Sequence, residues 1–178
     1  MNLPEELAAI LQLRQRNHSQ LTLVTGVFDV LHHEHRQFLL AAKQIGQILL
    51  IGLESDQRVT AVKGQGRPIN DEHSRQQNLI AWNIADLVFI LPPSFGQAAL
   101  RKAWLEVIRP DYLAVSSHTP FLAVKRQEIK AVGGQLKIVH QFNPQVSSSK
   151  LIDKKNRQTQ IIDNSKNTKN NTKKVKKE

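Results

Sequence analysis

A chain of 178 residues with no cysteine excludes disulfides and thiolate metal ligands, and it has room for one domain of ordinary size with a sizeable core. The formal charge of +10 is unevenly placed, because residues 151–178 carry nine Lys/Arg against three Asp/Glu and leave only +4 on residues 1–150. No apolar run approaches a bilayer span, and MNLPEELAAILQLRQR lacks the basic-then-apolar order of a signal peptide, so a cytoplasmic protein with no membrane partner is expected.

In chain order, a helix is expected from Glu5 to Arg16. Apolar, β-branched runs follow at LTLVTG (21–26), QILLIGLE (47–54), DLVFIL (86–91), DYLAVS (111–116) and QLKIVH (135–140). Between them lie segments of helical period: one places Phe38, Leu39, Ala42 and Ile45 on a single face, and others run from Asp71 to Ile84, Phe95 to Val107 and Pro120 to Val132. Five strands separated by helices predict an α/β fold, a Rossmann-like doubly wound parallel sheet of five strands with an extra N-terminal helix. Its domain is expected over 1–157. Residues 158–178, Lys/Asn-rich with little to bury, read as a disordered basic tail whose expected roles are solubility and weak, salt-sensitive contact with nucleic acid.

The first strand runs into the densest cluster of titratable groups, Asp29, His32, His33, Glu34 and His35. In a doubly wound sheet the ligand lies outside the carboxyl ends of the strands, where Gly26 lets the backbone approach it and a following helix offers free N–H groups and the positive end of its dipole. A metal reading competes, since His32 and His35 are spaced to face one ion. The protease pattern H-E-x-x-H begins at His33-Glu34 but meets Gln37 where its second histidine should be, and no metal is assigned.

TGVFDVLHHEHRQFL resembles the nucleotidyltransferase signature G-x-F-D-x-x-H-x-G-H, with His32 and His35 in the two histidine positions. ESD (54–56), KGQGRPIN (63–70) with Arg75 downstream, and VSSSKLI (146–152) resemble the further blocks of that cytidylyltransferase-like family, over about residues 20–155 and closest to its heptose-1-phosphate adenylyltransferase and glycerol-3-phosphate cytidylyltransferase branch. The resemblance implies transfer of AMP or CMP from a nucleoside triphosphate, ATP or CTP carrying Mg²⁺, to a phosphorylated sugar or alcohol, with release of pyrophosphate. It implies catalytic roles for His32, His35 and Lys63, the last on a glycine-rich loop able to fold over the site. It implies nucleotide binding by Gly26, Val27, Phe28, Ser147, Ser148 and Ser149, and substrate-phosphate contacts by Arg67 and Arg75, for which packing roles stand as alternatives. Asp29 either orients a histidine or satisfies turn N–H groups, the second, structural role being preferred. A homodimer is implied as well.

The chain departs from the signature at Glu34, where the pattern has glycine, and at VSSH (115–118), where heptose-type relatives carry a K-G-G-D-like stretch. Glu34 sets a carboxylate beside the phosphate position. An alternative reading is therefore a catalytically impaired nucleotide-binding relative that serves as a regulatory or interaction module.

Overall fold

The apolar runs become strands of one parallel sheet in the computed structural model, which describes residues 3–141. β1 (Leu21–Gly26), β2 (Ile48–Leu53), β3 (Leu87–Ile90), β4 (Tyr112–Ser116) and β5 (Gln135–His140) are hydrogen-bonded in the order β3-β2-β1-β4-β5. β1 pairs with β2 over its whole length, from Leu21 opposite Ile48 to Gly26 opposite Leu53. The chain builds outward from β1 to β3 and then returns to the other side of β1. This reversal opens a crevice at the carboxyl ends of β1 and β4.

Period-two alternation divides the core into two faces. Leu21, Leu23, Leu50, Phe89, Leu113 and Val115 pack on one side with Trp104, Leu105 and Ile108 of α5 (Ala98–Ile108) and Ile129 of α6 (Leu122–Ala131). Leu7 of α1 (Glu5–Asn17) completes that side. Val24, Leu49, Ile51, Leu53, Val88 and Ala114 face the other way, onto Leu39 and Ala42 of α2 (His33–Lys43) and Leu79 of α4 (Glu72–Ile80). Burying both faces is why these strands read as near-continuous apolar runs. The extra helix α1 is tied to the sheet by Arg14, whose guanidinium bonds the Asp111 carboxylate at 2.8 Å and the Ile108 carbonyl at 2.9 Å.

Three expectations are corrected. Asp71–Ile84 is helical only to Ile80, and Phe95–Val107 begins as a 3-10 turn at Pro93–Gly96 before α5 starts at Ala98. The third concerns Lys63, which closes a helix, α3 (Asp56–Lys63), instead of riding on a loop. Ser55 caps that helix by accepting from the Arg58 N–H, and Gly64 ends it at φ 90°. Ser147, Ser148, Ser149 and the tail 158–178 lie outside the described residues. Among the described residues no helix is long and apolar enough to cross a membrane.

Candidate functional site

At the end of β1 the chain must turn sharply to enter α2, and two residues make the turn. Phe28 takes φ 48°, a left-handed conformation that costs a phenylalanine free energy, and the residue is 7 % exposed. A Cβ at position 26 would lie 2.8 Å from that ring, so glycine is required where β1 meets the aromatic side chain. Gly26, Val27 and Phe28 thus form a tight wall between the α2 side of the sheet and the α5–α6 side.

On the α2 side stand the two signature histidines. Their rings stack with centroids 3.8 Å apart and planes 21° from parallel, and Phe28 meets His35 edge-on at 5.3 Å. Nδ1 of each histidine is buried without a hydrogen-bond partner, and neither ring bonds any described residue. Burial, then the adjacent His32, then Lys63 and His140, push the pKa of His35 from 6.5 down to about 4. Burial also lowers His32, with His33 adding to the effect and Glu34 opposing it. Both imidazoles are therefore neutral at physiological pH in the free protein. His32 occupies the N-cap of α2 without lending its side chain to the helix.

Lys63 acts electrostatically on His35 from the end of α3, which places the third expected catalytic residue at the same site. The residue as a whole is exposed, yet burial around its ammonium, followed by the nearby Arg67, holds its pKa below the ordinary lysine range; Asp29 opposes and Arg75 adds. The charge on Lys63, opposed by Arg67 and Arg75, is one that an arriving anion would stabilise.

Asp29 and Arg75 do different work from what a ligand site needs. Asp29 is 2 % exposed and accepts from the Ile69 N–H at 2.9 Å, the Asn70 N–H at 3.0 Å and the Arg67 Nε at 2.9 Å. Burial alone would raise its pKa, but the Asn70 and Ile69 amides and Arg67 outweigh it and hold the carboxyl below its usual range. Asp29 thus has the structural role preferred for it, but the N–H groups it satisfies belong to the remote RPIN loop and not to its own turn. Arg75 is 0 % exposed. Its guanidinium bonds the carbonyls of Asn70, Val27 and Glu54 at 3.0, 2.6 and 2.8 Å and the Asp56 carboxylate at 2.7 Å. Of the two roles expected for Arg75, substrate-phosphate contact and packing, this geometry serves packing: its donors face protein oxygens, and it clamps together the ends of β1 and β2, the start of α3 and the RPIN loop. Arg67 is largely covered and paired with Asp29 at 2.7 Å, which leaves it near the site as part of the same clamp.

Across the Gly26–Phe28 wall lies a cavity of about 700 Å³. Gly26, Val27, Glu54, Lys63, Leu105 and Lys125 are among the residues that line it. Burial pushes the Lys125 ammonium below the ordinary lysine range, with Glu54 and Glu128 drawing it back. The cavity and the histidine pair share the turn as a common wall, and a cation, Lys63, belongs to both.

Glu34 sits in the first turn of α2, 14 % exposed at its side chain, held between His33 Nε2 at 2.8 Å and His140 Nε2 at 3.0 Å. His140, at the end of β5, was not anticipated as a site residue. Its position four strands of sequence away from α2 gave no local signal, and it reads simply as the last residue of a strand. Among the described residues no group of three or more His, Cys, Asp or Glu is placed to hold a metal ion.

Comparison with known proteins agrees with this architecture. The family model described as Cytidylyltransferase-like matches residues 23–162. The bifunctional protein HldE of Geobacter metallireducens is 32% identical over 149 residues, covering 83% of this chain and 29% of that protein. HldE of Geotalea uraniireducens is 30% identical over 151 residues, covering 84% and 30%. This chain spans less than a third of the length of these relatives. Among solved structures, the lipopolysaccharide core biosynthesis protein of Thermoplasma volcanium shares the fold at a TM-score of 0.55 and 24% identity, covering 70% of this chain and 97% of that one.

Proposed function

The chain belongs to the cytidylyltransferase-like family, and from that premise we propose that it is a nucleotidyltransferase that moves AMP or CMP from ATP or CTP to a small phosphorylated sugar or alcohol. An oxygen of the acceptor phosphate attacks the α-phosphorus, the bond to the bridging oxygen breaks, and pyrophosphate leaves. Mg²⁺ enters with the nucleotide as part of the substrate. Phosphoryl chemistry of this kind asks the protein mainly for position and for stabilisation of charge on the phosphate oxygens.

The observation that carries the reading is the stacked, unpartnered pair His32 and His35 beside Lys63 at the carboxyl end of β1. In this reading the nucleotide phosphates lie against the histidines and the start of α2, with the turn at Gly26, Val27 and Phe28 beneath them and Ser147, Ser148 and Ser149 supplying further donors. The acceptor occupies the cavity across the turn, so that its phosphate meets the α-phosphorus near Lys63. An arriving polyanion favours the charged form of both imidazoles, so nucleotide binding takes up protons.

The test is a pyrophosphate-release screen of ATP and CTP, with Mg²⁺, against phosphorylated sugars and polyols. Turnover with one pair supports transfer and names base and acceptor together. A second reading is favoured by Glu34 in the place of the signature glycine: a relative that binds nucleotide without turning it over. Calorimetric binding of ATP or CTP with no pyrophosphate released from any pair selects it.

A further inference from the structure

Glycine in the first turn of a phosphate-binding helix leaves room and no charge; Glu34 brings both bulk and a negative charge to the same turn. The structure has an arrangement that manages it. The carboxylate is drawn to His33 on one oxygen and to His140 on the other, at 2.8 and 3.0 Å. The His33 side chain is 62% exposed, while His140 is 16% exposed and supported from behind by the Phe38 ring, edge-on at 6.4 Å. The backbone of His140 is fixed too: its carbonyl accepts the Ser117 N–H at 2.9 Å, and its pairing with Ser116 follows a register shift between Val115 and Ser116. From there the imidazole reaches Glu34 on α2. His140 is thus the more covered member of the pair of histidines and His33 the exposed one.

We propose that His140 is a positioning residue for nucleotide binding: its Nε2 holds the Glu34 carboxylate in place by hydrogen bonding, so that a triphosphate can approach His32 and His35 without that carboxylate swinging into its path. This rests on the nucleotide reading above and names what permits it in a chain that lacks the glycine. Glu34 and His140 are then one unit contributed by two remote elements, and a change at either is read through the other. Loosening the hold on Glu34 from the His140 side should weaken nucleotide binding about tenfold.

The experiment is calorimetric titration of the full chain with Mg-ATP and Mg-CTP, using His140→Ala, His140→Gln, Glu34→Gly and the double variant Glu34→Gly/His140→Ala. The expected outcome is a Kd raised about tenfold in His140→Ala and largely restored in His140→Gln, whose amide keeps a donor near the Nε2 position. Glu34→Gly should bind at least as tightly as the unaltered chain, and removal of His140 in that background should change Kd less than about twofold. Thermal melts of each variant separate misfolding from the effect sought, and a loss that tracks the melt and is not suppressed by Glu34→Gly overturns the proposal. Binding that is indifferent to His140 overturns it as well, leaving the nucleotide reading intact. No binding of either nucleotide by the unaltered chain overturns both.

Discussion

His35 combines a functional position with an unfavourable one. Its ring is crowded among His32, Phe28 and the charge of Lys63, and its Nδ1 has no partner, so the folded protein resists protonating it until about pH 4. An unfolded chain would take that proton near 6.5. Between these values the unfolded state binds more protons, so the stability His35 contributes is full above pH 6.5 and is lost as pH falls toward 4, a change on the order of 3 kcal/mol. Urea unfolding followed from pH 7.5 to 4 should show this slope in the unaltered chain and a shallower one in His35→Ala; equal slopes would remove His35 from the acid sensitivity. The same substitution tests catalysis. If His32 and His35 stabilise the transition state, replacing either with alanine should lower pyrophosphate release by about two to three powers of ten while the protein stays folded at neutral pH. A variant with near-normal turnover would take that histidine out of the mechanism.

At the scale of elements, the parts legible in the sequence are those whose signal is local. All five strands stand where the apolar runs place them, because a parallel sheet covered on both faces needs unbroken hydrophobic stretches. The GVFD turn and the histidines declare themselves by residue type. Helix α3 did not, since its single buried residue is Val59 and its start depends on one serine cap; a short polar helix leaves little periodicity to read. Arg75 was legible as a motif residue with phosphate contact and packing both open, and the sequence could not choose between them, because the oxygens that surround it come from four separate segments. That clamp makes a prediction. Arg75→Lys keeps the charge but cannot reach the carbonyls of Asn70, Val27 and Glu54 and the Asp56 carboxylate together. Arg75→Ala, which leaves those buried acceptors unmatched, should destabilise the fold by about 3–5 kcal/mol, with Arg75→Lys recovering only part of it. Denaturant midpoints measure both. A lysine variant as stable as the unaltered chain, or an alanine variant that folds normally yet fails only with substrate, would return Arg75 to the role of a phosphate ligand.

For the whole molecule, the charge is the property that the fold does not explain. The family match extends to residue 162, five residues beyond the domain boundary expected at 157, so the natural division for an experiment falls after the match. Residues 163–178 hold six lysines against Asp163 and Glu178, with Val175 as their one apolar side chain. A segment so composed has almost no hydrophobic surface to bury, whereas ordering its backbone would cost about 1–2 kcal/mol for each residue. It is not expected to contribute to the core that β1 to β5 share with α1, α2, α4, α5 and α6. Deleting residues 163–178 should therefore leave the melting temperature and the affinity for Mg-ATP or Mg-CTP unchanged. Its effect should fall on contacts with long polyanions, where each phosphate neutralised by a lysine releases counterion. Loss of six lysines should flatten a log–log plot of nucleic-acid affinity against salt by roughly four in slope. Fluorescence anisotropy with a single-stranded oligonucleotide, from 50 to 200 mM salt, reads that slope directly. An unchanged slope would remove the segment from nucleic-acid contact, and a large fall in melting temperature would show that its lysines belong to an ordered part of the fold.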